Sequence, residues 1–314
     1  MSAQFAAQAL LQDLSLSADA AAERATMVPS PATIASVAAV SAALLWIVLR
    51  RRPKSKPPPV AHIVMPPKDA ANGVLRPFVV DRVMKRRGAL HIFETLPPRN
   101  TAFVVVDMQR TFLDVGAAVE VPLGRSVVGN VNAMARAVRE RGGRVIWIAH
   151  ANNMLGPGLN DWAAFRCHFV TGDKRERYVS SLSPGASGQQ IWPDLEVRND
   201  EGDLVLTKNR YSALIGGSSQ LERVLRSANL TTLLLAGCKT DVCVESTGRD
   251  AMMLDFGTVI VEDCCASLTH DEHREACETF VQQFGDVMSS AEAVAALDRG
   301  ADHPALTTPK SAIA

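Results

Sequence analysis

The stretch TTLLLAGCKTDVCVESTGRDAMMLDFGTVIVED, Thr231 to Asp263, decides the fold. It opens on TTLLLAG, an uncharged run without polar–apolar alternation, as suits a strand buried on both faces of a parallel sheet. VCVESTGRDAMMLDFG then reads as a helix closed by Gly257. TVIVED reads as the next strand. Strand, helix and strand in succession make a βαβ unit, whose parallel strands need such a crossover. Two thiols, Cys238 and Cys243, lie where the strand gives way to the helix. Taken alone, Cys243 is a nucleophile, a metal ligand or a small buried side chain.

The alternation continues in both directions. TAFVVVD (Thr101–Asp107) is a continuous apolar run ending in an acid. Val127, Val128, Val131, Met134, Ala135 and Val138 recur at helical spacing, and RVIWIAH (Arg144–His150) is a second strand. About fifty residues of Gly/Pro-rich, poorly periodic sequence follow. DLVLTK (Asp203–Lys208) is a third strand, and SSQLERVLRSANL is a helix capped by Ser218 or Ser219. After the fifth strand come a helix in DEHREACETFVQQFG, a short sixth strand in DVMSS and a last helix in AEAVAAL. The pattern predicts a doubly wound α/β domain over 101–298. Its six-stranded sheet is mostly parallel, with helices on both faces. A C-terminal tail, 299–314, is expected to be disordered.

The first hundred residues differ in composition. Residues 1–31 are Ala-rich and polar, with charges only at Asp13, Asp19, Glu23 and Arg24, and read as a disordered tail. Ala32–Leu49 has no charge and, as a helix, would reach ~27 Å, close to the hydrocarbon thickness of a bilayer. RRRPKSK follows it, with Trp46 near the basic end. The expectation is a single transmembrane helix whose basic flank keeps the catalytic domain on the cytoplasmic side. A cleavable signal peptide would carry its positive charge before the apolar run. Residues 50–100 read as a basic, Pro-rich linker.

The 314 residues include 33 basic and 33 acidic side chains, so the formal net charge is zero. That balance argues against a nucleic-acid partner, which usually needs a basic excess. Six cysteines, irregularly spaced and without a zinc-type CxxC pair, point to reduced thiols.

In an open parallel sheet, ligands bind outside the carboxyl ends of the strands. Asp107, Lys208 and Cys243 all fall at such ends. Each has an ordinary reading: a turn-capping acid, a solvated lysine, a small packed thiol. Together they supply what a cysteine nucleophile needs. A helix N-terminus and an ammonium lower a thiol's pKa, and a carboxylate can take its proton and return it to a leaving group.

VVVDMQRTF at 104–112, KNRYSAL at 208–214 and AGCKTDVCVESTGRDAMMLDF at 236–256 resemble the cysteine hydrolases of the isochorismatase-like superfamily. Members include ureidoacrylate amidohydrolases, N-carbamoylsarcosine amidohydrolases and nicotinamidases. The resemblance runs over roughly 101–298 and is most specific in the third motif. It implies an Asp107–Lys208–Cys243 triad and a cis peptide bond at Cys238–Lys239. It also implies an oxyanion hole from the backbone N–H groups of Lys239 and Cys243. The implied reaction is hydrolysis of a C–N bond in a small amide or ureido compound through a thioester. Because the family is often oligomeric, a homo-oligomer is a further expectation.

The departures bear on substrate. Isochorismatases that cleave an enol ether lack the nucleophilic cysteine, which is present here. Nicotinamidases hold a metal with an Asp and histidines after the second strand. AHANNMLG offers His150 but no second histidine at suitable spacing, so neither a metal nor another cofactor is expected. Ureidoacrylate enzymes carry Asn where His150 stands and Trp where Asn152 stands. Lys239 either alters the charge of the pocket or points to solvent. His150 either lines the pocket or is a hydrogen-bonded loop residue. Tyr211 is a candidate wall, and Trp162 with Phe165 either closes over substrate or packs against another surface.

Overall fold

The computed structural model describes residues 74–152 and 162–301. Six strands form one parallel sheet: β1 (Thr101–Val106), β2 (Arg144–His150), β3 (Leu204–Lys208), β4 (Thr232–Cys238), β5 (Gly257–Ala266) and β6 (Asp286–Met288). Their order is β3-β2-β1-β4-β5-β6. β1 and β4 are buried along their whole length, which accounts for their unbroken apolar sequences. β3 lies at an edge and leaves Leu204 and Val205 exposed.

The principal crossover helices are α3 (Val128–Glu140) between β1 and β2, and α7 (Glu245–Met253) between β4 and β5. The chain moves outward in opposite directions from β1 and β4. Right-handed crossovers therefore put α3 and α7 on opposite faces of the sheet. α8 (His270–Gln283) and α9 (Ser290–Gly300) complete the layers. Both open with a capping box, Thr269 with Glu272 and Ser289 with Glu292. The strand order reverses between β1 and β4, and a crevice opens at their carboxyl ends. Gly237 permits this junction. Its φ is 108°, and a Cβ there would lie 2.0 Å from Val106 O.

Several expectations need correction. The second half of the supposed linker is part of the packed domain. α1 (Pro77–Arg87) buries Val79 and Val83, and Leu96 is fully buried, its N–H donating to Ala296 O on α9 at 3.0 Å. Each such side chain contributes about 1.5–3 kcal/mol by leaving water. Arg76 ties the start of α1 to Glu278 on α8, its Nε donating to both carboxylate oxygens at 2.8 and 2.9 Å. The Gly/Pro-rich span after β2 also holds helices, α4 (Ala163–His168) and α5 (Gly172–Ser181). A short α2 (Arg110–Leu113) follows β1.

Two helix limits also differ. α6 (Leu221–Ser227) begins after Gln220, so neither Ser218 nor Ser219 is its N-cap residue. Ser219 Oγ instead accepts from Leu221 N at 3.0 Å. α7 ends before Gly257, because Asp255 takes the left-handed turn at φ 64°. Gly257 starts β5, where a Cβ would meet Phe93 and Thr232. Ala32–Leu49 lies outside the described residues. Among those described, no helix is long and apolar enough to cross a membrane.

Candidate active site

Asp107 leaves β1 with φ 56°, its N–H donating to Ile148 O at 2.8 Å. The side chain is fully buried, as is Lys208 at the end of β3. Lys208 reaches past β2 to donate to Asp107 Oδ2 at 2.7 Å. The same ammonium lies 3.0 Å from Arg210 O and 3.3 Å from His150 Nδ1, and it also acts on the Cys243 thiol. Burial by itself lowers its pKa. The Asp107 carboxylate beside it is the main opposing influence, and Lys208 is held above its ordinary pKa. Lys208 is therefore a fixed positive charge, not a base. Burial pushes the Asp107 carboxyl up, and Lys208 only partly offsets it. Asp107 Oδ1 is buried without a hydrogen-bond partner, and the nearby thiol of Cys243 acts on the same carboxylate.

After β4 the chain passes through a cis peptide bond at Cys238–Lys239. It then makes a wide turn of π-helical geometry, Thr240–Val244, that feeds α7. Lys239 O accepts from Val242 N at 3.2 Å and Val244 N at 3.1 Å. Thr240 Oγ1 and His273 Nδ1 are 2.8 Å apart, joining the turn to α8. Thr247 Oγ donates to Cys243 O at 2.7 Å. Cys243 is thus buried where the crevice meets the turn.

The expected low thiol pKa is not found. Burial and the Asp107 carboxylate push Cys243 well above the ordinary range, against the opposing pull of Lys208. The resting site is a neutral thiol beside a carboxylate–ammonium pair. A thiolate can arise there by handing its proton to Asp107. Cys238 plays a different part: its sulfur is buried against Met108 Sδ at 3.3 Å, and burial raises its pKa too.

A cavity of about 460 Å³ opens over these groups. Asp107, His150, Tyr211, Lys239 and Cys243 all line it. Trp162 is not among the lining residues. It stands behind them, stacked on Phe165 at 4.6 Å and edge-on to Tyr211 at 4.8 Å. Lys239 is a lining residue, and its ammonium pairs with Asp241 at 3.4 Å. Burial, with the Lys208 charge next, holds His150 well below its ordinary pKa, so its ring is neutral. Gln109 clamps the His150 backbone from both sides, accepting from its N–H at 2.7 Å and donating to its carbonyl at 3.0 Å. Among the described residues, no group of three or more His, Cys, Asp or Glu side chains could hold a metal ion.

Tyr178 is the lining residue that the sequence concealed. Its hydroxyl is 3.2 Å from His150 Nε2. It stands in DKRERYVSS, where a lone aromatic among charges on α5 was the available signal. Phe112 and Phe165 also line the cavity, the first placed there by α2 and the second by α4.

The chain is 29% identical over 214 residues to a ureidoacrylate amidohydrolase of Klebsiella variicola, covering 64% of this chain and 89% of the relative. It is 34% identical over 176 residues to a probable inactive nicotinamidase of Arabidopsis thaliana, covering 56% and 85%. A cysteine hydrolase from Pseudomonas syringae shares the fold with a TM-score of 0.55 at 23% identity, covering 65% of this chain and 95% of that one. Residues 101–292 match the model of the isochorismatase domain. That match spans more than half of the sequence and takes in every strand from β1 to β6, so the chain belongs to the isochorismatase family of hydrolases.

Proposed function

We propose that the protein hydrolyses a C–N bond of a small amide or ureido compound through a thioester on Cys243. The observation that carries this reading is the convergence of a buried carboxylate, a buried ammonium and a thiol beneath one cavity. Asp107 takes the thiol proton as sulfur attacks the carbonyl carbon, and Lys208 holds the site's charge constant. The backbone N–H groups of Lys239 and Cys243 stabilise the oxyanion at the start of the turn. Asp107 then protonates the leaving nitrogen, and the C–N bond breaks. Water adds to the thioester carbonyl, its proton passes to Asp107, and the thiol is regenerated as the acid leaves.

Relatives named as ureidoacrylate amidohydrolases favour an amide or ureido substrate. The relative named probable inactive nicotinamidase makes the rival concrete: a ligand-binding member without turnover, or one with nicotinamidase or isochorismatase specificity. An ammonia-release screen over amides, ureas and carbamoyl amines separates these. Wild type should turn over at least one compound, and Cys243→Ala should abolish that turnover. Retained ammonia release in Cys243→Ala would remove the thioester.

We infer an N-terminal membrane anchor from sequence alone, from the uncharged Ala32–Leu49 and the basic residues after it. Deleting 1–52 should move the protein to the soluble fraction. An unchanged distribution counts against the anchor.

A further inference from the structure

Hydrogen-bond bookkeeping around His150 leaves one hydrogen over. The Lys208 ammonium has three hydrogens and no lone pair, so His150 Nδ1, 3.3 Å away, can only accept. A neutral imidazole carries one N–H, which must then sit on Nε2. Nε2 lies 3.2 Å from Tyr178 Oη, so the ring donates and the phenol oxygen accepts. The Asn152 side chain also acts on the ring, opposing the effect of burial. The Asn152 amide also donates to Tyr178 O and Val179 O, and its oxygen accepts from Arg166 Nη2.

The hydroxyl hydrogen of Tyr178 cannot point back at the ring. Among the described residues, His150 is the sole hydrogen-bond partner of that hydroxyl. Tyr178 is 5% exposed and lines the cavity together with Cys243. Burial first, and the nearby Asp107 charge, raise its pKa, so it stays a phenol and a donor at neutral pH.

We propose that Tyr178 is a substrate-binding hydrogen-bond donor, its O–H turned into the cavity by the Lys208–His150–Tyr178 chain. It would recognise an acceptor atom on the substrate, such as a second carbonyl, a carboxylate or a ring nitrogen, beside the scissile C–N bond. What is bound rests on the amidohydrolase reading above. The direction of the hydrogen bonds does not.

Two measurements test this. The first is long-range ¹H–¹⁵N NMR on full-length protein labelled at histidine, with His150 identified by His150→Gln. It should show Nε2 protonated and Nδ1 bare at neutral pH. A proton on Nδ1, or on both nitrogens, overturns the proposal. The second compares Tyr178→Phe with wild type on two amides that the wild type hydrolyses, one with an acceptor beside the scissile carbonyl and one without. The variant should lose roughly tenfold in kcat/KM on the first and little on the second. An equal loss on both, or none on either, overturns it. If wild type hydrolyses no amide, the functional reading fails and the tautomer alone decides the proposal.

Discussion

Lys208 Nζ lies 2.7 Å from Asp107 Oδ2, and both side chains are fully buried. The ion pair spans the sheet from β3 to β1, passing β2. Taking two charges out of water is costly unless each has its partners. Lys208 has three acceptors, whereas Asp107 keeps one oxygen without a hydrogen bond. The unmet demand of that carboxylate is directed at the thiol.

Breaking the pair from one side should be worse than removing it. Asp107→Asn or Lys208→Met each leaves a buried charge unpaired and should cost about 3–5 kcal/mol. The double variant should recover much of that loss. Urea unfolding of the four proteins measures the coupling. Additive losses would mean that the two groups are not energetically joined.

Thiol chemistry should not begin at the proposed nucleophile. Cys167 is exposed and the other five cysteines are buried. At neutral pH iodoacetamide should modify Cys167 first, with Cys243 slow because burial and Asp107 keep it protonated. Cys167→Ser should remove the fast phase, and the Cys243 phase should quicken as pH rises toward its elevated pKa. Peptide mass spectrometry reads both. Fast modification of Cys243 at neutral pH would contradict the protonated resting state.

The pH dependence of turnover should carry the mark of Asp107. The proposed base must be ionised to accept the thiol proton, and burial raises its pKa above the ordinary carboxylate range. Activity should therefore fall with decreasing pH earlier than an ordinary aspartate would require. The acidic limb of a kcat/KM profile tests this. A limb at or below the ordinary carboxylate range would place the titrating base elsewhere.

Gly237→Ala tests the junction of β1 and β4. The new Cβ meets backbone atoms of Val106 and forces a non-glycine residue to φ 108°. Backbone strain and overpacking together should cost roughly 3–5 kcal/mol. A melting temperature near that of wild type would show that the two strands can separate cheaply.

The packed N-terminal segment has its own test. Glu278 is buried and accepts from the Arg76 backbone and side chain. Glu278→Gln should weaken the docking of α1 by about 1.5–3 kcal/mol. Hydrogen exchange across Pro77–Arg87 should report it. Unchanged protection would mean that the apolar contacts of Val79 and Val83 hold the helix unaided.

Sequence by itself determined the alternation of strands and helices, because central parallel strands must be apolar on both faces. That requirement marks β1, β2 and β4 unmistakably. It also marked Asp107, Lys208 and Cys243 as strand-end groups, since reactive residues directly after such runs stand out. It misplaced the ends of α6 and α7, where Gln220 and Asp255 govern local backbone that no periodicity records. α1 and α5 were lost because charged helices with few buried positions resemble linkers.

Only tertiary structure decided how the marked residues act on one another. Strand order set Lys208 against Asp107 across β2, and burial reversed the expected thiol pKa by removing the water that would stabilise a thiolate. Tyr178 became part of the site through α5 folding back over His150, a contact between residues 28 positions apart that no local pattern encodes.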